Sequence, residues 1–284
     1  MKDRKYIPLI VGFVADLISI TRIESVAEDL GYQVAWFERF DEIPGLDLGG
    51  PVRQLGEHTH GPGAALLEQL TDLRPALIIF DLSNQAVPWR ELVALIKSAP
   101  ATRRLPVLCF GPHKDVEAIR AARQAGADVV LARSRFVSDL PALIQKYSRQ
   151  PDIQAIEQAC LAPLTALAIR GLELFNQGEF FEAHEVLEDA WNEDSSPGRE
   201  LYRAILQVAV AYLQIERENY NGAVKMFLRV RQWIDPLPDN CRGVDVAALR
   251  ADASLVHQAL IELGPERISE FNHGLFGRVQ YQII

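Results

Sequence analysis

Pro75-Ala76-Leu77-Ile78-Ile79-Phe80-Asp81-Leu82 is apolar throughout except for one carboxylate near its end. A strand with one wet face alternates apolar and polar residues, so an unbroken apolar run requires cover on both faces. Working outward, four more strand-like runs share this character: Ile7–Val14, Gln33–Phe37, Pro106–Phe110 and Asp128–Leu131. Between and after them lie stretches of helical periodicity at Ser19–Leu30, Ala64–Leu73, Arg90–Ser98, Asp115–Ala125 and Val137–Tyr147. Parallel strands need long crossovers, which amphipathic helices supply, so the pattern predicts a parallel sheet between two helical layers.

Five such units imply an α/β doubly wound sheet of the flavodoxin-like type. In that architecture ligands and chemistry collect at the carboxyl ends of the strands, which is where Asp81 stands. The alternation stops around Ser148-Arg149-Gln150-Pro151-Asp152. Beyond it, Ile153–Leu174, Glu179–Trp191, Arg199–Glu216, Asn221–Ile234 and Val246–Leu263 are all helical in period, with strand character reserved for the last few residues. The expected organisation is an α/β domain over 1–149 and an all-α helical bundle over 150–284.

Composition narrows the function classes. The 284 residues carry a formal net charge of −9 and no clustered Lys/Arg run, so no nucleic-acid partner is expected. The three cysteines, Cys109, Cys160 and Cys241, are widely spaced without a CxxC pair, which reads as three reduced thiols. The basic start Met1-Lys2-Asp3-Arg4-Lys5 precedes an apolar stretch interrupted by Asp16 and Arg22, too short and polar to span a membrane. A cytoplasmic protein is the expectation. Within Asp41–Gly63, a glycine-rich insertion, His58 and His60 would share one face of an extended strand. Such a pair can ligate a metal, although two histidines in a glycine-rich loop are more often exposed and inert.

The N-terminal residues resemble a known family. Asp81 at a strand end, the approach Pro100-Ala101-Thr102-Arg103-Arg104-Leu105-Pro106-Val107-Leu108, and Ala125-Gly126-Ala127-Asp128 are together similar to response-regulator receiver domains over residues 6–147. The resemblance implies phosphoryl transfer to Asp81. That chemistry also needs an acidic pair for Mg²⁺, a hydroxyl residue and a lysine. Aligned on Gly31-Tyr32, the acidic pair falls at Val14 and Ala15, with Asp16 one place late. The hydroxyl position falls at Gly111 and the lysine position at Arg133. A carboxylate lacking its metal site offers nothing to offset the charge that builds during transfer. The reading is therefore a pseudo-receiver, with Asp81 paired to Arg133 or capping a helix.

In the second half, Phe180-Phe181-Glu182-Ala183-His184-Glu185-Val186-Leu187-Glu188, followed by Trp191, is the most informative stretch. Its flanking Gly178 and aromatic spacing are similar to a tetratricopeptide helix pair. On one helix His184, Glu188 and Trp191 fall at i, i+4 and i+7, a single stripe beside apolar Ala183, Leu187 and Ala190. The following helix carries Gln207 and Gln214 seven apart, and the expectation is that the two polar stripes face each other in a hydrogen-bond network. The segment resembles the bacterial helical family called domain of unknown function 309, some of whose members carry a metal-dependent-hydrolase label. That label implies a divalent metal at His184 and Glu188, with Glu185 assisting. Gln214 stands where that family often has His, and the zinc-protease spacing fails because Glu188 occupies the place of the second His.

These readings converge on a non-enzymatic signalling or adaptor protein. The receiver-like half would bind a protein partner or a second copy, and the helical half would bind a ligand or partner. The alternatives are a metal-dependent hydrolase centred on His184, Glu185 and Glu188, and a response regulator phosphorylated on Asp81.

Overall fold

The computed structural model describes residues 7–37 and 62–283; the insertion with His58 and His60 lies outside them. The chain divides into two compact units, residues 1–150 and 151–284. In the first, β1 (Leu9–Phe13), β2 (Gln33–Trp36), β3 (Leu77–Asp81), β4 (Val107–Gly111) and β5 (Val129–Ala132) form a parallel sheet in the order β2-β1-β3-β4-β5. The helices α1 (Leu17–Asp29), α2 (Pro62–Leu73), α3 (Trp89–Ser98), α4 (Val116–Gln124) and α5 (Arg133–Tyr147) cover it. This is the flavodoxin-like fold that the alternation implied.

The central strand explains how the fold positions its polar residue. All five residues of β3 are buried, and successive side chains of a strand point to opposite faces. Ile78 and Phe80 join the core under α2, α3 and α4, with Leu66, Leu70, Leu92, Val93 and Ile96. Leu77 and Ile79 join the opposite core, with Ile20 and Ile23 of α1 and Phe136, Leu140 and Ile144 of α5. Asp81 has the parity of Leu77 and Ile79, so it emerges on the α1/α5 side. Full burial of each such Ile, Leu or Phe stabilises by roughly 1.5–3 kcal/mol, so a one-residue slip that inverted the faces is strongly disfavoured.

The second unit comprises α6 (Ile153–Ala159), α7 (Ala166–Gln177), α8 (Phe180–Glu193), α9 (Glu200–Glu216), α10 (Tyr220–Ile234), a short hairpin of β6 (Asn240–Cys241) and β7 (Val244–Asp245), and α11 (Val246–Leu263). The single helix expected over Ile153–Leu174 is two. Cys160 ends α6, and Thr165 opens α7 by accepting a hydrogen bond from the Ala168 amide at 3.1 Å. Pro163 lies between them and cannot donate in a helix ladder. Gly178, at φ +86°, ends α7 in the left-handed conformation and turns the chain into α8. A Cβ on Gly171 would come within 2.6 Å of the Leu187 side chain. The close approach of α7 and α8 therefore depends on that glycine.

The cysteine expectation is corrected. Cys160 and Cys241 form a disulfide with Cα atoms 4.4 Å apart, and Cys109 alone remains free and buried. The bond joins residues 81 apart in sequence, which no local spacing rule anticipates. Burial pushes the Cys109 thiol pKa up, leaving it protonated. Next to the disulfide, Arg242 is 4% exposed. Its guanidinium donates to Tyr202 Oη (2.5 Å) and Ser196 Oγ (2.8 Å) and pairs with Asp194 (2.8 Å). No helix among the described residues is long and apolar enough to cross a membrane.

Candidate functional site

Asp81 opens onto a cleft of about 550 Å³ lined by Ala15, Asp16, Asp81, Ser83, Asn84 and Arg133. Three local features build it. Asp16 caps α1, accepting from the Ser19 amide (3.2 Å) and hydroxyl (2.6 Å). Ser83, in the turn after β3, donates its amide to Asp81 Oδ1 at 2.9 Å. Arg133 is the first residue of α5, directly after β5, and so sits at the same end of the sheet.

Arg133 ties these groups together. One guanidinium nitrogen lies 2.9 Å from both carboxylate oxygens of Asp81 and 3.2 Å from Ser83 Oγ. Another donates to Asp16 Oδ2 (3.1 Å) and Ser19 Oγ (3.0 Å). The Phe110 ring lies 5.0 Å from the guanidinium carbon, on which its face exerts a further attraction. Asp81 is only 3% exposed, and a buried carboxylate requires such a partner because desolvation disfavours its charge. The Ser19 hydroxyl bond, opposed by burial and aided by backbone amides and Arg133, holds the Asp16 carboxyl below its ordinary value.

The other positions to which the receiver resemblance points carry no polar side chain. Val14 is fully buried and Ala15 carries no ligand atom. A Cβ at Gly111 would lie 3.1 Å from Leu82 Cβ, so a hydroxyl residue there requires Leu82 to move. Ser19, Ser83 and Phe110 were not singled out in the sequence. The Asp-x-x-Ser of a helix cap and the Asp-x-Ser of a tight turn were the available signals.

In the helical unit the expected network does not form. His184 is half-buried, while Glu185 and Glu188 are exposed. Gln214 Oε1 accepts from Asn219 Nδ2 at 2.6 Å, and buried Gln207 Oε1 has no hydrogen-bond partner among the described residues. The Trp191 Nε1–H is likewise unpartnered, and its ring is covered by the guanidinium groups of Arg199 and Arg203 at 4.8 and 4.6 Å. Arg203 also lies 3.9 Å from the Trp233 ring centroid. Helical phase put His184 and Trp191 at the core edge, whereas Glu188 of the same stripe is exposed, and the groups covering Trp191 are arginines outside the stripe. Among the described residues no group of three or more His, Cys, Asp or Glu could hold a metal ion.

Comparison with known proteins divides the same way. The model of the family described as domain of unknown function 309 matches residues 168–226. An uncharacterized protein of Aquifex aeolicus is 28% identical over 81 residues, 27% of this chain and 23% of that protein, so the chain spans under a quarter of that relative. Response regulator Rcp1 of Synechocystis is 26% identical over 145 residues, 51% of this chain and 90% of Rcp1. Among solved structures, a response regulator from Chloroflexus aurantiacus matches at 19% identity and TM-score 0.36, over 49% of this chain and 99% of that one. The Mn²⁺-bound form of Rcp1 matches at 20% identity and TM-score 0.34, over 49% of this chain and 90% of Rcp1.

Proposed function

We propose that this chain is a signalling adaptor in which a receiver-type unit works by binding, with its phosphoacceptor position closed, and a helical unit receives a partner. The observation that carries this reading is the Arg133 nitrogen 2.9 Å from both oxygens of Asp81. Attack on a phosphoryl group needs a free carboxylate oxygen and a cation bridging it to the incoming phosphate. Here the carboxylate is already engaged, and Val14 and Ala15 replace the acidic pair that would recruit the cation. The likeness to response regulator Rcp1 supports the signalling context. A second copy of the chain or another protein, docked on the receiver-type unit, would then read its conformation.

The test is incubation of the full chain with acetyl phosphate and Mg²⁺, followed by intact mass analysis. The expected result is no phosphoryl adduct, beside a competent receiver that is modified under the same conditions. A stoichiometric adduct, lost in Asp81→Asn, would overturn the reading and make the protein a phosphorylated response regulator. Arg133→Ala provides a second arm. Freed of its guanidinium, Asp81 should still resist modification, because no metal-binding pair stands beside it.

A further inference from the structure

After α11, a 3-10 turn at His273–Leu275 leads into an extended segment with almost no regular structure. Its mode of attachment is unlike that of the rest of the unit. The Asn176 side chain makes two hydrogen bonds to the backbone of Val279, Nδ2–H to the carbonyl at 2.9 Å and Oδ1 from the amide at 2.8 Å. Phe276 stacks on Tyr212, with ring centroids 4.3 Å apart and planes within 6°, and meets Phe180 edge-on at 5.6 Å. The Gly277 amide donates to Tyr212 Oη at 3.3 Å. Farther along, Asp245 donates to the Gln280 carbonyl (2.9 Å) and Gln282 to the Gly243 carbonyl (2.9 Å), which adds the segment to the hairpin edge.

Burial along the segment alternates as for a bound strand. Val279 is buried, while Arg278 and Gln280 on either side are exposed. A Cβ on Gly277 would fall within 2.3–2.6 Å of the Asp252 side chain, so only glycine fits after the aromatic residue. A side-chain amide that pairs with both backbone groups of one residue ignores that residue's identity, and strand addition does the same. Specificity is then confined to an aromatic anchor, a glycine and an aliphatic residue three places after the anchor.

We infer that Asn176, Phe180, Tyr212 and the β6–β7 edge form a peptide-binding groove occupied in cis by Phe276–Gln282, and that its partner ligand is an extended segment of the form Phe-Gly-x-Val. The inference rests on the reading of the helical unit as a binding module and is independent of the chemistry at Asp81. The attached segment acts as an autoinhibitory strap, which a partner must displace. A tethered competitor of this kind acts at an effective concentration on the order of millimolar, and it masks a free ligand by about 100-fold or more.

The experiment measures fluorescence anisotropy of a labelled synthetic peptide with the sequence of Phe271–Ile283, titrated with the full chain. Phe276→Ala/Val279→Ala, which vacates the groove, should bind the peptide about 100-fold more tightly than wild type. Adding Asn176→Ala should remove that gain. A double variant that keeps its far-UV circular dichroism and elution volume yet binds no more tightly overturns the proposal. If the double variant does not fold, hydrogen exchange on the wild type decides. Amides of Gly277 and Val279 exchanging faster than Val208 and Ala209 in α9 support a strap, whereas equal rates make the segment part of the core and overturn it. Phosphorylation of Asp81 would refute the closed phosphoacceptor and leave the groove standing, so the two failures are distinguishable.

Discussion

Two regions of this chain attract the eye for the same reason, a concentration of ligand-type side chains, yet they are built oppositely. At the strand ends of the first unit, Asp81 is buried and engaged by Arg133 and the Ser83 amide. On α8, Glu185 and Glu188 point into solvent and His184 is half-covered. A buried carboxylate must be paired or it destabilises the fold, whereas an exposed one is solvated and costs nothing. Clustering in sequence therefore carries little meaning until burial is known. The first cluster is a closed electrostatic unit, and the second is the wet margin of a helix whose aromatic residue is held by cation–π contacts.

The contrast is tested most severely at Arg133. Arg133→Met leaves Asp81 buried without its cation and should destabilise the first unit by roughly 3–5 kcal/mol, measured by urea denaturation. Adding Asp81→Asn should recover a large part of that loss. A double variant no more stable than Arg133→Met would show that packing, not charge, is what Arg133 supplies. In the second unit, the corresponding long-range tie is the disulfide. Its removal by reduction, or by Cys160→Ser/Cys241→Ser, should lower stability by roughly 2–5 kcal/mol, read as a fall in the melting transition. An unchanged transition with both thiols alkylatable before reduction would show that the bond does not form.

The α8 residues should behave quite differently. His184→Ala and Glu188→Gln are expected to change stability by no more than about 0.5 kcal/mol, as surface substitutions do. A loss of several times that in urea denaturation would mean that His184 has a buried partner and that the two regions are alike after all. The smallest expected effect is at Asp16. Its pKa is lowered chiefly by the Ser19 hydroxyl, so its contribution is present above the ordinary carboxylate pKa and lost as pH falls through the lowered one. Ser19→Ala should raise the Asp16 pKa in a carboxyl-carbon NMR titration. No upward movement would assign the lowering to the remaining groups, Arg133 among them.

Much of the first unit was legible from residue order. The apolar runs marked the strands and put Asp81 at a strand end, whereas its place on the side of α1 and α5 came from the structure. Pairing with Arg133 was one of the readings that the sequence left open. The break between α6 and α7 was also written there, in Pro163 and the Thr165 cap, but helical period outweighed both. The helical unit yielded less. Its stripe placed Trp191 at the edge of the core but could not name Arg199 and Arg203 as the groups covering it.

What the sequence by itself determined was the order of strands and helices in the first unit and the two-sided burial of its sheet. Those follow from side-chain periodicity and backbone sterics, which act over a few residues. Only the tertiary structure decided which distant groups meet. Cys160 reaches Cys241 across 81 residues, Arg133 reaches Asp81 across 52, and Asn176 reaches Val279 across 103. Such pairings depend on how packed elements bring chain segments together in three dimensions, and no local pattern encodes that distance.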